Sequence, residues 1–111
     1  MKFASKLHPT RTFAYGMQEA VKKCMASLQT DSHYSIVSVD PEDGEIRCIW
    51  NLKLSKLLGD PGVLIRYSFI EKTPGVTVVT ASVSRADGSG VDFLDIGGKY
   101  EKVMCMPFDK M

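Results

Sequence analysis

The chain has 111 residues, 44% of them hydrophobic and 24% charged, and a formal net charge of +1. This length fits a single domain over residues 1–111 that buries about two thirds of the surface exposed by its unfolded form, and it excludes a second domain. The apolar fraction excludes intrinsic disorder, and the near-neutral charge argues against non-specific nucleic-acid binding, which needs a basic face that neutralises several phosphates.

The first predicted elements are a short strand and a long amphipathic helix. Alternation of side chains predicts the strand over residues 2–7. Thr10 can cap a helix whose apolar residues recur at helical spacing, and we expect that helix over about residues 11–29. Gly16 then lies near the middle of the helix, where it costs up to about 1 kcal/mol relative to alanine and marks a close approach to another backbone.

The strongest structural signal is a β-hairpin over residues 34–53. Two alternating segments flank a polar Asp-Pro-Glu-Asp-Gly turn at residues 40–44, which is typical of a hairpin connection. In the second strand, alternation directs one face toward the core and makes Trp50 a core anchor. The residues of that face are Ile46, Cys48, Trp50 and Leu52.

A second hairpin follows. Residues 63–70 alternate, a Thr-Pro-Gly turn occupies residues 73–75, and β-branched residues predict a return strand over 76–84. A loop rich in Gly, Ser and Asp comes next and ends this part of the chain.

Apolar residues at helical spacing predict a last helix within residues 97–111, with Asp95 placed favourably for its dipole. Pro107 lacks the amide hydrogen that an interior turn needs, so regular helix should stop or kink near Met106. The element order is β-α-β-β-β-β-α. Because each helix has one apolar stripe to bury, we predict an α+β fold, a single antiparallel β-sheet with two helices packed on one face.

Few side chains suit catalysis or metal binding. His8 and His33 are the only histidines, and both lie at predicted element ends, so the sequence organises no nucleophile with a base. Cys24 and Cys48 fall on predicted core faces, where a thiol is inert, whereas Cys105 near the proline is the exception. No metal-ligand spacing occurs. We therefore predict a protein that is not an enzyme and has no catalytic residue, cofactor or metal site.

Two glycine-containing segments have some features of ligand loops. Residues 87–95 offer carboxylates but lack the spacing and terminal glutamate of a twelve-residue calcium loop. Residues 97–99, Gly-Gly-Lys, can bring backbone amides close to an anion, but the first glycine and the flanking Ser or Thr of a P-loop are missing. The sequence favours ordinary loops and leaves anion binding as the less favoured interpretation.

The connection over residues 52–62 carries four leucines and two lysines, where a polar turn would suffice. Either it covers the core or it exposes an apolar patch to a partner. The solvent-facing side of the predicted sheet is also more apolar than solvation requires. We therefore predict a non-enzymatic interaction module that contacts another protein or a second copy of itself through this connection, the open sheet face or a sheet edge. The candidate partner-binding residues are Leu52, Leu54, Leu57, Leu58, Ile49 and Leu64.

The alternative function is a carrier of a small apolar ligand held between the helices and the sheet. Methionines at helical spacing can line such an adaptable pocket, although they are more often ordinary core. The candidates are Met17, Met25, Met104 and Met106.

Three widely spaced cysteines and no apolar run at the start predict a reducing compartment. No window approaches the ~20 apolar residues of a membrane-spanning helix. We expect a soluble, cytoplasmic protein, with a cleaved leader or lipid anchor left open.

The element order and two turn phrases resemble a group of small bacterial domains of unknown function. The phrases are SVDPEDGEIR at residues 38–47 and DIGGK at residues 95–99. The same order is similar to the helix-grip modules of component C, the lipoprotein of the outer-membrane β-barrel assembly machinery. The resemblance implies this fold without known catalytic residues, and it transfers no assembly role.

Overall fold

A computed structural model describes residues 2–52 and 58–111, and its main feature is a five-stranded antiparallel sheet. The strands run in the spatial order β2-β6-β5-β4-β3, and β1 pairs separately with β7. The elements are β1 Lys2–Phe3, β2 Thr10–Phe13, α1 Met17–Gln29, β3 Tyr34–Asp40, β4 Glu45–Trp50, β5 Val63–Thr73, β6 Val76–Arg85, β7 Leu94–Asp95 and α2 Lys99–Lys110, with 3₁₀ turns at Ala4–Lys6 and Ile96–Gly98. The predicted α+β class is confirmed, and the main sheet with its helices follows the predicted order β-α-β-β-β-β-α.

Both helices pack on the same face of the main sheet and against each other. The alternation of β5 decides which face this is, because its odd-numbered residues from 63 to 69 are buried while Arg66 and Ile70 are exposed. Leu28 of α1 and Met104 of α2 are completely buried against that face. Each large apolar side chain buried in this way contributes about 1.5–3 kcal/mol.

The prediction for the first helix was wrong at its beginning. Thr10 to Phe13 form the edge strand β2, which pairs with β6, and α1 begins only after Gly16. Helix was predicted here because Phe13 and Met17 are both apolar and four residues apart, which is a helical spacing. Phe13 packs on the Tyr15 ring with a centroid distance of 5.4 Å, so it joins the core from a strand.

The predicted first strand is also shorter than expected. Only Lys2–Phe3 form β1, and Ala4–Lys6 turn into a 3₁₀ helix. Ala4 and Leu7 are buried there, so this segment closes one end of the core rather than extending the main sheet.

The last helix continues through Pro107, so of the predicted stop or kink near Met106 the stop is wrong. A proline at this position leaves the carbonyl of Val103 without its usual helical N–H donor. The Tyr34 hydroxyl donates to that carbonyl oxygen at 2.8 Å. The sheet thus supplies the hydrogen bond that proline removes, and the adjacent carbonyl of Met104 accepts a further bond from the Tyr67 hydroxyl at 2.7 Å.

Both predicted hairpins are confirmed, with one exception in the first. Ile46 and Cys48 are buried as expected, and Trp50 is half-buried against the core. Leu52, however, lies beyond the end of β4 and is 42% exposed, so its expected position in the core was wrong. The alternation of buried and exposed residues ends with the strand at Trp50, so it no longer directs Leu52 toward the core. The predicted last residue of the hairpin, Lys53, lies outside the described residues.

Candidate functional site

An open pocket of about 350 Å³ lies at the end of the sheet where β4 ends, β5 begins and α2 begins. Three aromatic side chains form much of its wall: Trp50, Phe93 and Tyr100. The Tyr100 ring meets the other two edge to face, with centroid distances of 5.0 Å to Phe93 and 6.3 Å to Trp50. The volume lies at the small end of the range for ligand pockets in proteins.

Two cationic side chains line the same pocket and lie over its aromatic rings. Lys99 Nζ is 5.3 Å from the ring centroids of both Trp50 and Tyr100. The guanidinium carbon of Arg85 is 5.4 Å from the Phe93 centroid. Neither side chain forms an ion pair with any residue in the described ranges. The pocket therefore combines apolar walls with positive charge that no described carboxylate neutralises directly.

Gly62 allows the ends of β4 and β5 to meet beside the pocket. Its φ is +82°, and an added Cβ would lie 2.4 Å from the carbonyl oxygen of Trp50. The Gly62 amide donates to Asp60 Oδ1 at 2.8 Å, and Asn51 Nδ2 donates to the Asp60 carbonyl oxygen at 2.6 Å. These bonds place the Asp60 carboxylate on the pocket wall.

The opposite wall depends on the start of α2. Asp95 is buried, and its Oδ1 accepts a hydrogen bond from the Tyr100 amide at 2.7 Å. This bond satisfies an amide of the first helical turn, which has no acceptor within the helix. It fixes the backbone from which Lys99 and Tyr100 project into the pocket.

The segment that carries Phe93 is attached to the beginning of the chain. The Ser5 hydroxyl and amide donate to the two carboxylate oxygens of Asp92 at 2.6 and 3.0 Å. The Ala4 amide donates to the Phe93 carbonyl oxygen at 2.6 Å. The hydrogen bond from the Ser5 hydroxyl is the main cause that lowers the pKa of Asp92 below its ordinary value. An ionised Asp92 thus helps to hold one wall of the pocket.

Exposed apolar side chains surround the mouth of the pocket. Leu52 and Leu94 are each 42% exposed, and Ile96 is 67% exposed. Leu52 follows β4 and the other two belong to the segment before α2, so two distant parts of the chain line this one pocket. We call Leu52, Leu94 and Ile96 the apolar rim.

A second open pocket, of about 340 Å³, shares Asn51 and Asp60 with the first. It is lined by Ile49 on the open face of the sheet and by His33. His33 Nδ1 lies 2.7 Å from Asp31 Oδ1, and the His33 amide lowers the pKa of Asp31 by donating to the same carboxylate. No serine hydroxyl within the described ranges hydrogen-bonds to the His33 ring, so these residues do not assemble a triad.

The six residues predicted to bind a partner are only partly brought together. Leu52 lies on the apolar rim, and Leu58 is 81% exposed in the same connection. Ile49 lines the second pocket and is directly opposite Leu64 in the β4–β5 ladder, where both side chains are half-buried. The remaining two, Leu54 and Leu57, lie outside the described residues.

Sequence reasoning did not find the aromatic and cationic residues of the pocket. Trp50 was interpreted as a core anchor, and Arg85 and Phe93 fall in or beside a loop that carries no motif. The one local signal was the Gly-Gly-Lys segment at 97–99, for which anion binding at a helix start was the less favoured interpretation. Lys99 is the residue of that segment that reaches the pocket.

The three thiols have the properties of structural residues. Burial raises the pKa of Cys24 and raises that of Cys48 to about 12, so neither forms the nucleophilic thiolate readily. Burial is also the main cause of the raised pKa of Cys105, which is half-buried. Of the methionines suggested for an apolar cavity, Met104 is fully buried, whereas Met17, Met25 and Met106 pack against the core. None of them lines the aromatic pocket.

Within residues 2–52 and 58–111, no helix is long and apolar enough to cross a membrane. The same ranges contain no group of three His, Cys, Asp or Glu side chains that could hold a metal ion. No protein-family model matches the chain, and no curated protein matches it either. The resemblance to small bacterial domains and to helix-grip modules therefore stays a prediction from element order and turn phrases.

Proposed function

We propose that the chain is a non-enzymatic interaction module that binds another protein at the aromatic pocket. The apolar rim carries this proposal, because Leu52, Leu94 and Ile96 are exposed around one concavity. Single exposed apolar side chains are normal on protein surfaces, whereas a group of them around an aromatic-walled pocket is typical of a binding surface.

The size of the pocket indicates what part of a partner it receives. A volume of about 350 Å³ accommodates one or two side chains but not a folded domain. Tyrosine, tryptophan and arginine dominate binding energy in protein interfaces, and Tyr100, Trp50 and Arg85 all line this pocket. We therefore expect a short segment of the partner to insert an apolar side chain there.

The sheet edges are less suited to a partner strand. β2 has only four residues, and β3 has an irregularity between Ile36 and Ser38 that leaves Val37 57% exposed. Short edge strands and bulges are features that hinder edge-to-edge pairing. This favours the pocket over strand addition or sheet-mediated self-association.

The chemistry of the reactive side chains supports a role without catalysis. The raised pKa values of the thiols disfavour a cysteine nucleophile. Asp31 and His33 contact each other beside the second pocket, without a hydroxyl bound to the ring among the described residues. Binding is thus the function that these groups support best.

A displayed library of random heptapeptides tests the proposal, with two aspartate variants as a matched pair. Ile96 lies on the rim, and Ile70 lies on the open sheet face with a similar exposure of 57%. Ile70 is seven residues along β5 from the pocket residue Val63, a distance of about 23 Å at 3.3 Å per residue. Selected peptides should bind Ile96→Asp at least about tenfold more weakly and Ile70→Asp almost unchanged, as expected for one buried apolar anchor.

Both variants should keep the thermal midpoint within a few degrees, because exposed substitutions change stability by only about 0.5 kcal/mol. The proposal fails if no peptide is enriched over an empty support. It also fails if the selected peptides bind both variants as well as the unchanged protein.

The second candidate function is a carrier of a small apolar ligand, and the pocket volume is the observation that favours it. Such a ligand would lie at the end of the sheet, beside the start of α2, rather than among the core methionines. Native mass spectrometry of protein purified from its own host tests this candidate. A constant added mass that Ile96→Asp abolishes would support it, and repeated absence of any added mass would exclude it.

A further inference from the structure

We infer that the aromatic pocket selects a partner segment in which a carboxylate lies next to an apolar side chain. This inference rests on the proposed function and names the chemistry of its ligand. It comes from the two cations of the pocket, Lys99 and Arg85, and from the aromatic rings beneath them.

The cations are placed where a ligand would meet them. Lys99 and Arg85 are exposed, line the pocket, and lie over rings at centroid distances of 5.3 and 5.4 Å. A cation over an aromatic face keeps its N–H donors free for an additional acceptor. Within the described ranges neither side chain donates a hydrogen bond or forms an ion pair, so both are available to a ligand oxygen.

The same arrangement argues against a cationic ligand. An aromatic cage binds an ammonium group through the faces of its rings. Here Lys99 Nζ lies over both Trp50 and Tyr100, and Arg85 lies over Phe93. The chain's own cations therefore occupy the positions that a ligand cation would need and would repel it.

The charge of the pocket favours a single negative charge over a phosphate. Its charged lining among the described residues consists of Lys99, Arg85 and Asp60, which gives a formal charge of +1. One carboxylate neutralises this charge, whereas a phosphate dianion exceeds it and faces the Asp60 carboxylate. The apolar rim beside the cations suits a hydrocarbon side chain better than a ribose, so a peptide fits the surface and a nucleotide does not.

Three small probes of nearly the same apolar body test the inference in titrations followed by NMR. N-acetylphenylalanine carries a terminal carboxylate, N-acetylglutamyl-phenylalanine amide carries a side-chain carboxylate, and N-acetylphenylalanine amide carries neither. At least one charged probe should bind with a dissociation constant on the order of 1 mM and about tenfold more tightly than the uncharged amide. The charged probe that binds shows whether the partner's carboxylate is a chain terminus or an acidic side chain. The preference should decrease with added salt, because the site is open to solvent.

Lysine variants test whether Lys99 is the cation that contacts the carboxylate of the probe. Lys99→Met should reduce the preference for the charged probe to about twofold or less, and Lys99→Arg should retain it. Lys102→Met is the matched control, because Lys102 is an exposed lysine of the same helix that does not line the pocket, and it should behave as the unchanged protein.

Any of three results with the small probes would overturn the inference: equal binding of charged and uncharged probes, no effect of Lys99→Met, or tighter binding of adenosine monophosphate than of either carboxylate. Heptapeptides that depend on Ile96 but lack acidic residues would also overturn it, while leaving the proposed function intact. Failure of the library to yield any Ile96-dependent peptide would count against the proposed function itself.

Discussion

Polar groups on the helix-covered face of the sheet are paired with each other, whereas the charged groups of the pocket at the end of the sheet are not. In the core, the hydroxyls of Tyr34 and Tyr67 each donate to a carbonyl of α2, and no buried side-chain polar atom of the described residues lacks a partner. At the pocket, Lys99 and Arg85 lie over aromatic rings without a described ion-pair partner, beside exposed apolar side chains. The difference separates residues that stabilise the fold from residues that remain available to a ligand.

The largest expected effect is in the core. Ile65 is fully buried in the central strand, so Ile65→Ala should lower the free energy of unfolding by about 2–5 kcal/mol through lost burial and a residual cavity. Ile70→Ala on the exposed face of the same strand is the control and should cost about 0.5 kcal/mol or less. Urea unfolding measures the free energy of unfolding of both variants. Similar losses would contradict the conclusion that only one face of β5 belongs to the core.

Gly62 lies on the boundary between the two regions. Gly62→Ala places a Cβ 2.4 Å from the Trp50 carbonyl oxygen in a positive-φ backbone, so it should cost about 1–3 kcal/mol and also weaken binding at the pocket. Gly88→Ala is the control, since Gly88 has a φ of +75° and no atom within 4 Å of its added Cβ. The clash makes the first variant less stable than the second; equal stability would show that the β4 and β5 ends can separate freely.

A smaller and more specific effect is expected at the Tyr34 hydrogen bond that replaces the one lost at Pro107. Tyr34→Phe should destabilise the protein by about 1 kcal/mol, because the Val103 carbonyl loses its donor. In a Pro107→Ala background the new amide can donate to that carbonyl, so the cost of Tyr34→Phe should fall to about half or less. A double-mutant cycle in urea measures the coupling, and additive effects would contradict this account of the proline.

The smallest effect is the pH dependence of the wall that carries Phe93. The pKa of Asp92 is lowered in the folded protein, so its contribution is complete above the ordinary value of 3.8 and is lost as pH falls through the lower folded value. The thermal midpoint should therefore decrease more steeply below pH 4 in the unchanged protein than in Asp92→Asn. Parallel curves for the two proteins would show that the Ser5 contact contributes nothing to stability.

The sequence predicts those strands whose alternating pattern is clear and whose pairing strand is close along the chain. Both hairpins follow from alternation and turn residues, since a period of two can bury only one face of a strand. Thr10 to Phe13 were misassigned because a four-residue edge strand is defined by its pairing with β6, which lies more than sixty residues away. Helix α2 passes Pro107, and the donor that the proline lacks is replaced by Tyr34 from another element.

The candidate site was harder to predict, because its residues also come from distant parts of the chain. Leu52 of the leucine-rich connection lies on the rim, and its role in binding stays a prediction. Trp50, Arg85, Phe93 and Lys99 come from separate segments and meet only through the folded backbone. No local spacing relates them, so their combination of aromatic and positive groups could not be inferred without the fold.

Chemical-shift mapping of the full chain, with whichever of the two carboxylate probes binds more tightly, tests whether the aromatic pocket is the binding surface. We expect saturable shifts at the Trp50 indole and at the amides of Gly62, Lys99 and Tyr100, with little change at Ile70. Shifts centred on the open sheet face around Ile70, or no saturable shift at any residue, would contradict this expectation.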